Sequence, residues 1–372
     1  MGRKSSSIIL MFLLFAITVN AQNPSNDKSW KLDASKSDEF NGTVIDFNKW
    51  KHHPDWGTCW HDSKNKYYTN YSSDNYFIKD GVLTLKLEKE KCTCYHIDKQ
   101  YIQETGSLYK TYNANYTQGA LFSYGTYNYG YFEMRCILPN REIYKGINPC
   151  FWLYEGKSNS EGKREEWHEI DIFEFNGYRD KHTCNVHYLD KSMIPNYIPK
   201  GKKEDDYRWQ LRHNDEPYYD FDVNFNSYHT FACEWTPDYI NFYYDDKLVR
   251  STNVSYCSKL KPMFMLITTE AFDGKFDDSE NNVSQNFHFP YEWKIDYVRY
   301  YTPKMDCNKV VNQSNFNFST FDYAVKKSIT LKNTTVPQNS KYTLRATDYM
   351  ELQGVFEIPL GSELTLMPTP KY

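Results

Sequence analysis

The chain carries 372 residues, 25% of them charged and 40% hydrophobic, with a formal net charge of −4. No stripe of Lys and Arg offers a track for nucleic acid, and after one apolar stretch at the N-terminus no run is long enough to span a bilayer. This length holds one large domain, or a domain with an appendage.

Residues 1–21 combine a basic start (Arg3, Lys4), an apolar stretch from Ile8 to Val19 and a cleavage site at Val19-Asn20-Ala21. That pattern predicts a secretory signal peptide, and so a protein that is secreted, periplasmic or at the cell surface. Residues 53–71, with Trp56, Trp60, Tyr67 and Tyr68, form a polar, aromatic-rich segment suited to the wall of a cleft. Residues 74–90 read as two strands joined at Asp80-Gly81, a strong hairpin signal. From 129 to 138, Phe132, Met134, Cys136 and Leu138 alternate with Tyr131, Glu133 and Arg135, which predicts a half-buried antiparallel strand. After the run 167–176, taken up below, a long polar insertion covers about 190–227. Residues 228–250 predict a hairpin turning at Asp245-Asp246; Lys261–Thr268 is a short apolar strand, and Trp293–Tyr301 closes the set.

No helical periodicity is sustained after the signal peptide. Short strands separated by turns predict an all-β protein, an antiparallel β-sandwich over residues 22–303. Beyond Pro303 the composition shifts to Asn, Thr, Ser and Lys, with short alternating runs at Tyr342-Leu344-Ala346, Met350-Leu352 and Leu364-Leu366. Residues 304–372 therefore read as a small β-rich appendage: a sugar-binding or attachment module, or a cap on the main domain.

Aromatic residues make up 18% of the chain, with 34 Tyr and 9 Trp. Their flat apolar faces and polar tips suit stacking on pyranose rings, although most are expected to fill the β core. The nine cysteines are an odd number, so at least one is unpaired within the chain. Cys92 and Cys94 are too close in sequence to bridge each other, and Cys136 and Cys233 fall on the apolar phase of predicted strands, as buried thiols would. Spacing assigns no disulfide and gives no zinc site.

The run Trp167-His168-Glu169-Ile170-Asp171-Ile172-Phe173-Glu174-Phe175-Asn176 organises the rest. Alternation puts Trp167, Glu169 and Asp171 on one strand face and Ile170 and Ile172 on the other. Continued strictly, it would bury Glu174 with the isoleucines and turn the phenylalanines outward, a costly arrangement. One extra residue, a bulge near Ile172-Phe173, removes the conflict and returns Glu174 to the polar face. Three carboxylates on one face repel one another and push their proton affinities apart. Glycosidases that retain anomeric configuration use such a set, one carboxylate ionised as nucleophile and another protonated as acid. Trp167, two residues before the first carboxylate and on its face, is placed to stack under a sugar.

This run resembles the bulged signature of glycoside hydrolase family 16, and the flanking chain agrees. Ser37-Asp38-Glu39-Phe40-Asn41-Gly42 with Trp50 resembles the family's opening. Tyr129–Arg135 and Pro149–Leu153 resemble the two strands before the motif. His229–Phe231 through Glu234–Asp238, and Ile295–Arg299, resemble its closing strands. The resemblance spans roughly residues 30–302. It implies a concanavalin A-like jelly roll with a cleft on its concave sheet and an endo-acting, retaining enzyme. In that scheme Glu169 is the nucleophile, Asp171 its orienting neighbour and Glu174 the acid/base, with no cofactor needed for the chemistry.

The same resemblance implies cleft positions for Trp152 and for His187, and a structural calcium ion held by Glu39 and Asp296 on the convex face. Glu270, after a strand entering the cleft, is a candidate for binding sugar hydroxyls. His168 departs from the small or acidic residue of many glucan-cleaving members. The partner implied is a polysaccharide, a β-glucan or a β-galactan, met by a monomer. Arg164, Arg179 and Lys181 near the motif would suit a sulfated galactan. A transglycosylase on the same scaffold, or a non-catalytic glycan-binding protein, are the alternatives.

Overall fold

The structure is a computed structural model that describes residues 24, 27–62, 67–97, 104–138, 147–158, 164–174, 183–190, 200, 226–252, 257–271 and 289–371. The predicted signal peptide, most of the 190–227 insertion, and Phe175, Asn176, Arg179 and Lys181 lie outside them, as do the side chains of Trp60, Tyr67, Tyr68 and Arg164.

Two sheets face each other. The outer sheet has 11 strands and the inner one 6. Strands adjacent in space are remote in sequence: Gly130–Ile137 lies antiparallel between His229–Trp235 and Tyr291–Pro303. The result is the expected sandwich of jelly-roll type. Its core is aromatic, with Phe132, Phe151, Phe173, Trp235 and Trp293 fully buried between the sheets. Each such side chain contributes roughly 1.5–3 kcal/mol by leaving water. Cys136 and Cys233 are buried there as free thiols.

The hairpin at Asp80-Gly81 forms, with φ of 54° and 76° at the two turn residues. Asp245 and Asp246 make the second such turn, at φ 45° and 62°. Positive φ at both positions gives the twist that flanking strands need. Residues 228–250 differ from a single hairpin: His229–Trp235, Ile240–Tyr244 and Lys247–Thr252 form a three-stranded meander. The additional turn is closed by the Thr236 hydroxyl, which accepts from the Asp238 and Tyr239 amides at 3.2 and 2.9 Å.

Beyond Pro303 the appendage is a 4-stranded sheet whose strands are all parallel. Met305 pairs with Val325, Lys326 with Ala346, and Leu344 with Leu366, so successive coils of chain stack on one another. A small core of its own holds Phe318, Ile329, Leu331 and Leu344. Arg345 fastens it to the sandwich: the guanidinium lies 3.2 Å from Glu234 and 3.4 Å from Asp27, with all three side chains buried.

Candidate active site

The inner sheet orders its strands so that Arg164–Glu174 lies between Ile147–Ser158 and Thr183–Asp190. Along the first neighbour Trp152 faces Asp171, but Phe151 faces Phe173, which leaves Ile172 as the extra residue. The opposite neighbour shows the same slip between Asp171 and Glu174. The bulge is therefore present where the alternation conflict requires it. Ile170, Ile172 and Phe173 all enter the core, while Glu169 and Glu174 remain half-buried on the other face and Asp171 is nearly enclosed.

Cross-strand register then brings in the histidine. His187 faces Glu169 directly. Its Nε2 lies 3.1 Å from Asp171 Oδ2 and 3.7 Å from Glu169 Oε1. The Trp167 ring, 9% exposed, stacks on the imidazole at 4.9 Å and 6° between planes. Trp167 Nε1 donates to Glu169 Oε2 at 2.8 Å. The tryptophan thus holds the nucleophile candidate and covers the imidazole.

These contacts set the electrostatics. Burial opposes a charge on His187, but the bond to Asp171 and the charges of Asp171, Glu169 and Glu174 outweigh it and push the imidazole up to about 10. Burial, then repulsion from Glu174 and Glu169, raises Asp171, with His187 pulling the other way. The cluster accordingly keeps a proton on the imidazole between acidic neighbours. Among the described residues, Glu169, Asp171 and His187 form the group close enough to hold a metal ion, their ligand atoms lying within 4.8 Å of one another. The bridging imidazole accounts for that spacing.

Glu270 reaches the same face from Met263–Ala271 and is 2% exposed. It accepts from the Thr268 hydroxyl, from Cys150 Sγ at 3.3 Å and from Asn148 Nδ2 at 3.4 Å. Burial is the main reason it is pushed up to about 7, with the Glu174 charge adding to it. Trp152, partly exposed, donates to Thr268 Oγ1 at 3.1 Å, so it belongs to the cleft face.

His168 points the other way. It is buried against Tyr188 between the sheets, and burial pushes it down to about 4. Its departure from the family pattern therefore touches the core and leaves the cleft surface unchanged.

Glu39 and Asp296, the expected calcium ligands, each meet a guanidinium. Glu39 accepts both arms of Arg299, at 2.7 and 2.8 Å, and Asp296 is paired with Arg135.

Known proteins resemble this chain in sequence and in fold. The sequence model of the GH16 domain of β-porphyranases A–D matches residues 30–303. The κ-carrageenase of Pseudoalteromonas carrageenovora is 25% identical over 91% of this chain and 82% of its own. The glucan endo-1,3-β-glucosidase A1 of Niallia circulans is 26% identical, over 71% of this chain and 37% of its own. Among solved structures, LamAcat from Zobellia galactanivorans superposes with a TM-score of 0.51 at 23% identity, covering 72% of this chain and 96% of that one.

Proposed function

The chain belongs to glycoside hydrolase family 16, and from that premise and the carboxylate geometry we propose that it is a secreted, retaining endo-hydrolase of a β-linked galactan. The bulge at Ile172 carries the reading, because without it Glu174 would not share a face with Glu169 and Asp171. Two donors support Glu169 as nucleophile: Trp167 Nε1 fixes one oxygen and the charged His187 approaches the other. Asp171 anchors the imidazole, and Glu174 serves as acid and then base.

Glu169 attacks the anomeric carbon while Glu174 protonates the departing oxygen, and the covalent sugar is then released by water that Glu174 activates. Forming the glycosyl ester removes the negative charge of Glu169. Repulsion on Glu174 falls at that moment, which favours the ionised form needed for the second step. One arrangement thus serves both half-reactions.

The galactan is favoured by the porphyranase description of the matching domain and by the carrageenase relative. Export is supported by the Cys59–Cys94 disulfide, a bond that persists in oxidising compartments. The test is a panel of agarose, porphyran, κ-carrageenan and laminarin assayed for new reducing ends. The wild-type enzyme cuts a galactan, and Glu169→Gln abolishes release while circular dichroism is unchanged. An active Glu169→Gln variant would overturn the assignment.

A further inference from the structure

On the far side of the carboxylates from His187, the cleft rim is built by loops. Leaving the inner sheet after Lys51, the chain passes through Trp56 to the strand Cys59–Asp62. Beside it packs a hairpin of Cys92–His96 and Lys110–Ala114. The two excursions are locked together. Cys59 and Cys94 are disulfide-bonded, the Thr58 amide donates to the Tyr95 carbonyl at 2.9 Å, and the Ile97 amide donates to the Trp56 carbonyl at 2.8 Å. Gly57 makes the approach possible: at φ +130° a Cβ there would sit 2.3 Å from the Tyr95 oxygen.

The clamp presents an aromatic ring to the cleft. Trp56 meets Tyr154 edge-on at 5.8 Å, and Tyr154 meets Trp152 edge-on at 5.7 Å. Tyr154 faces Glu169 in register and Trp152 faces Asp171, so the row begins beside the carboxylates. These three rings are partly exposed, whereas Tyr71, Phe122 and Leu266, which belong to the same apolar cluster, are buried as its foundation. A core cluster would hide all of its rings; here the rim row stays open beside the reacting groups.

We propose that Trp56 is a sugar-stacking residue, forming with Tyr154 and Trp152 an aromatic rim for a pyranose unit next to the cleavage point, and that the Cys59–Cys94 disulfide clamps it in place. The inference rests on the glycosidase reading and adds a determinant of affinity that depends on oxidation. Losing one stacked ring weakens sugar binding roughly tenfold.

The test measures steady-state kinetics on whichever of the four panel polysaccharides the wild type cuts. Affinity gel electrophoresis through the same polysaccharides runs beside it and needs no turnover. Trp56→Ala raises KM roughly tenfold, lowers kcat less, and migrates with less retardation than wild type; Trp56→Tyr restores most of both. The Cys59→Ser/Cys94→Ser double variant, and wild type reduced with dithiothreitol, shift KM in the same direction. Unchanged KM and unchanged retardation in Trp56→Ala would overturn the rim, while an active Glu169→Gln variant would instead overturn the glycosidase reading.

Discussion

His187→Gln removes the positive charge at the centre of the cluster and leaves a polar side chain behind. The imidazole lies 3.1 Å from Asp171 and 3.7 Å from Glu169. At an effective dielectric near 20, each such pair is worth on the order of 4 kcal/mol before solvation is subtracted. Measured opposite-charge shifts of about 1–3 pH units show what survives. Because His187 is pushed up to about 10, its charge is present throughout the working range and is lost only above it. The variant lacks it at every pH, so the acidic carboxylates bind protons more readily. The acidic limb of the kcat/KM profile, which reports ionisation of the carboxylate cluster as a whole in the free enzyme, moves upward by about two units. On the acidic side of the wild-type limb kcat/KM falls roughly a hundredfold at a given pH, at about 1.4 kcal/mol per unit. Profiles from pH 4 to 10 on the preferred polysaccharide measure this. An acidic limb at the wild-type position would refute the electrostatic role of His187.

Trp167→Phe keeps the ring on His187 but deletes the 2.8 Å bond to Glu169. Loss of a hydrogen bond to a charged group, about 1.5–3 kcal/mol, lowers kcat/KM roughly tenfold to a hundredfold, and an unchanged value would remove Trp167 from the machinery. Glu270 is held near 7, above its unfolded value, so the native state binds the extra proton and stability falls as pH rises from about 4 to about 7. Glu270→Gln removes that titration; its Tm should decline less over this range than that of wild type, and parallel declines would contradict the burial argument. Arg345→Met strands Asp27 and Glu234 as buried charges, which costs about 3–5 kcal/mol in urea unfolding. A change below about 1 kcal/mol would show that the appendage is fastened elsewhere.

The bulge was legible because a glutamate and two phenylalanines could not all sit on the faces that strict alternation assigns them. His187 and Glu270 were harder to place. Their roles depend on which residues face Glu169 and Asn148 across neighbouring strands, a register that no local pattern contains. The stacking of Trp167 on that same histidine was hidden for the same reason. Spacing could not pair Cys59 with Cys94, since they sit on separate excursions brought together by backbone bonds of Thr58 and Tyr95. The pairing of Arg135 with Asp296 was hidden for a similar reason: the two become partners only once their strands are side by side. In the appendage, alternation identified Leu344 and Ala346 as inward, and both are buried. Arg345, between them, points the other way and is buried against Glu234 of the sandwich.

The most direct measurement of the central claim is the anomer released first from the polysaccharide, followed by proton NMR before mutarotation. Double displacement through Glu169 predicts that the β anomer appears first and the α anomer grows in afterwards. An α anomer appearing first would mean single displacement by water, and would contradict the account of Glu169 as nucleophile.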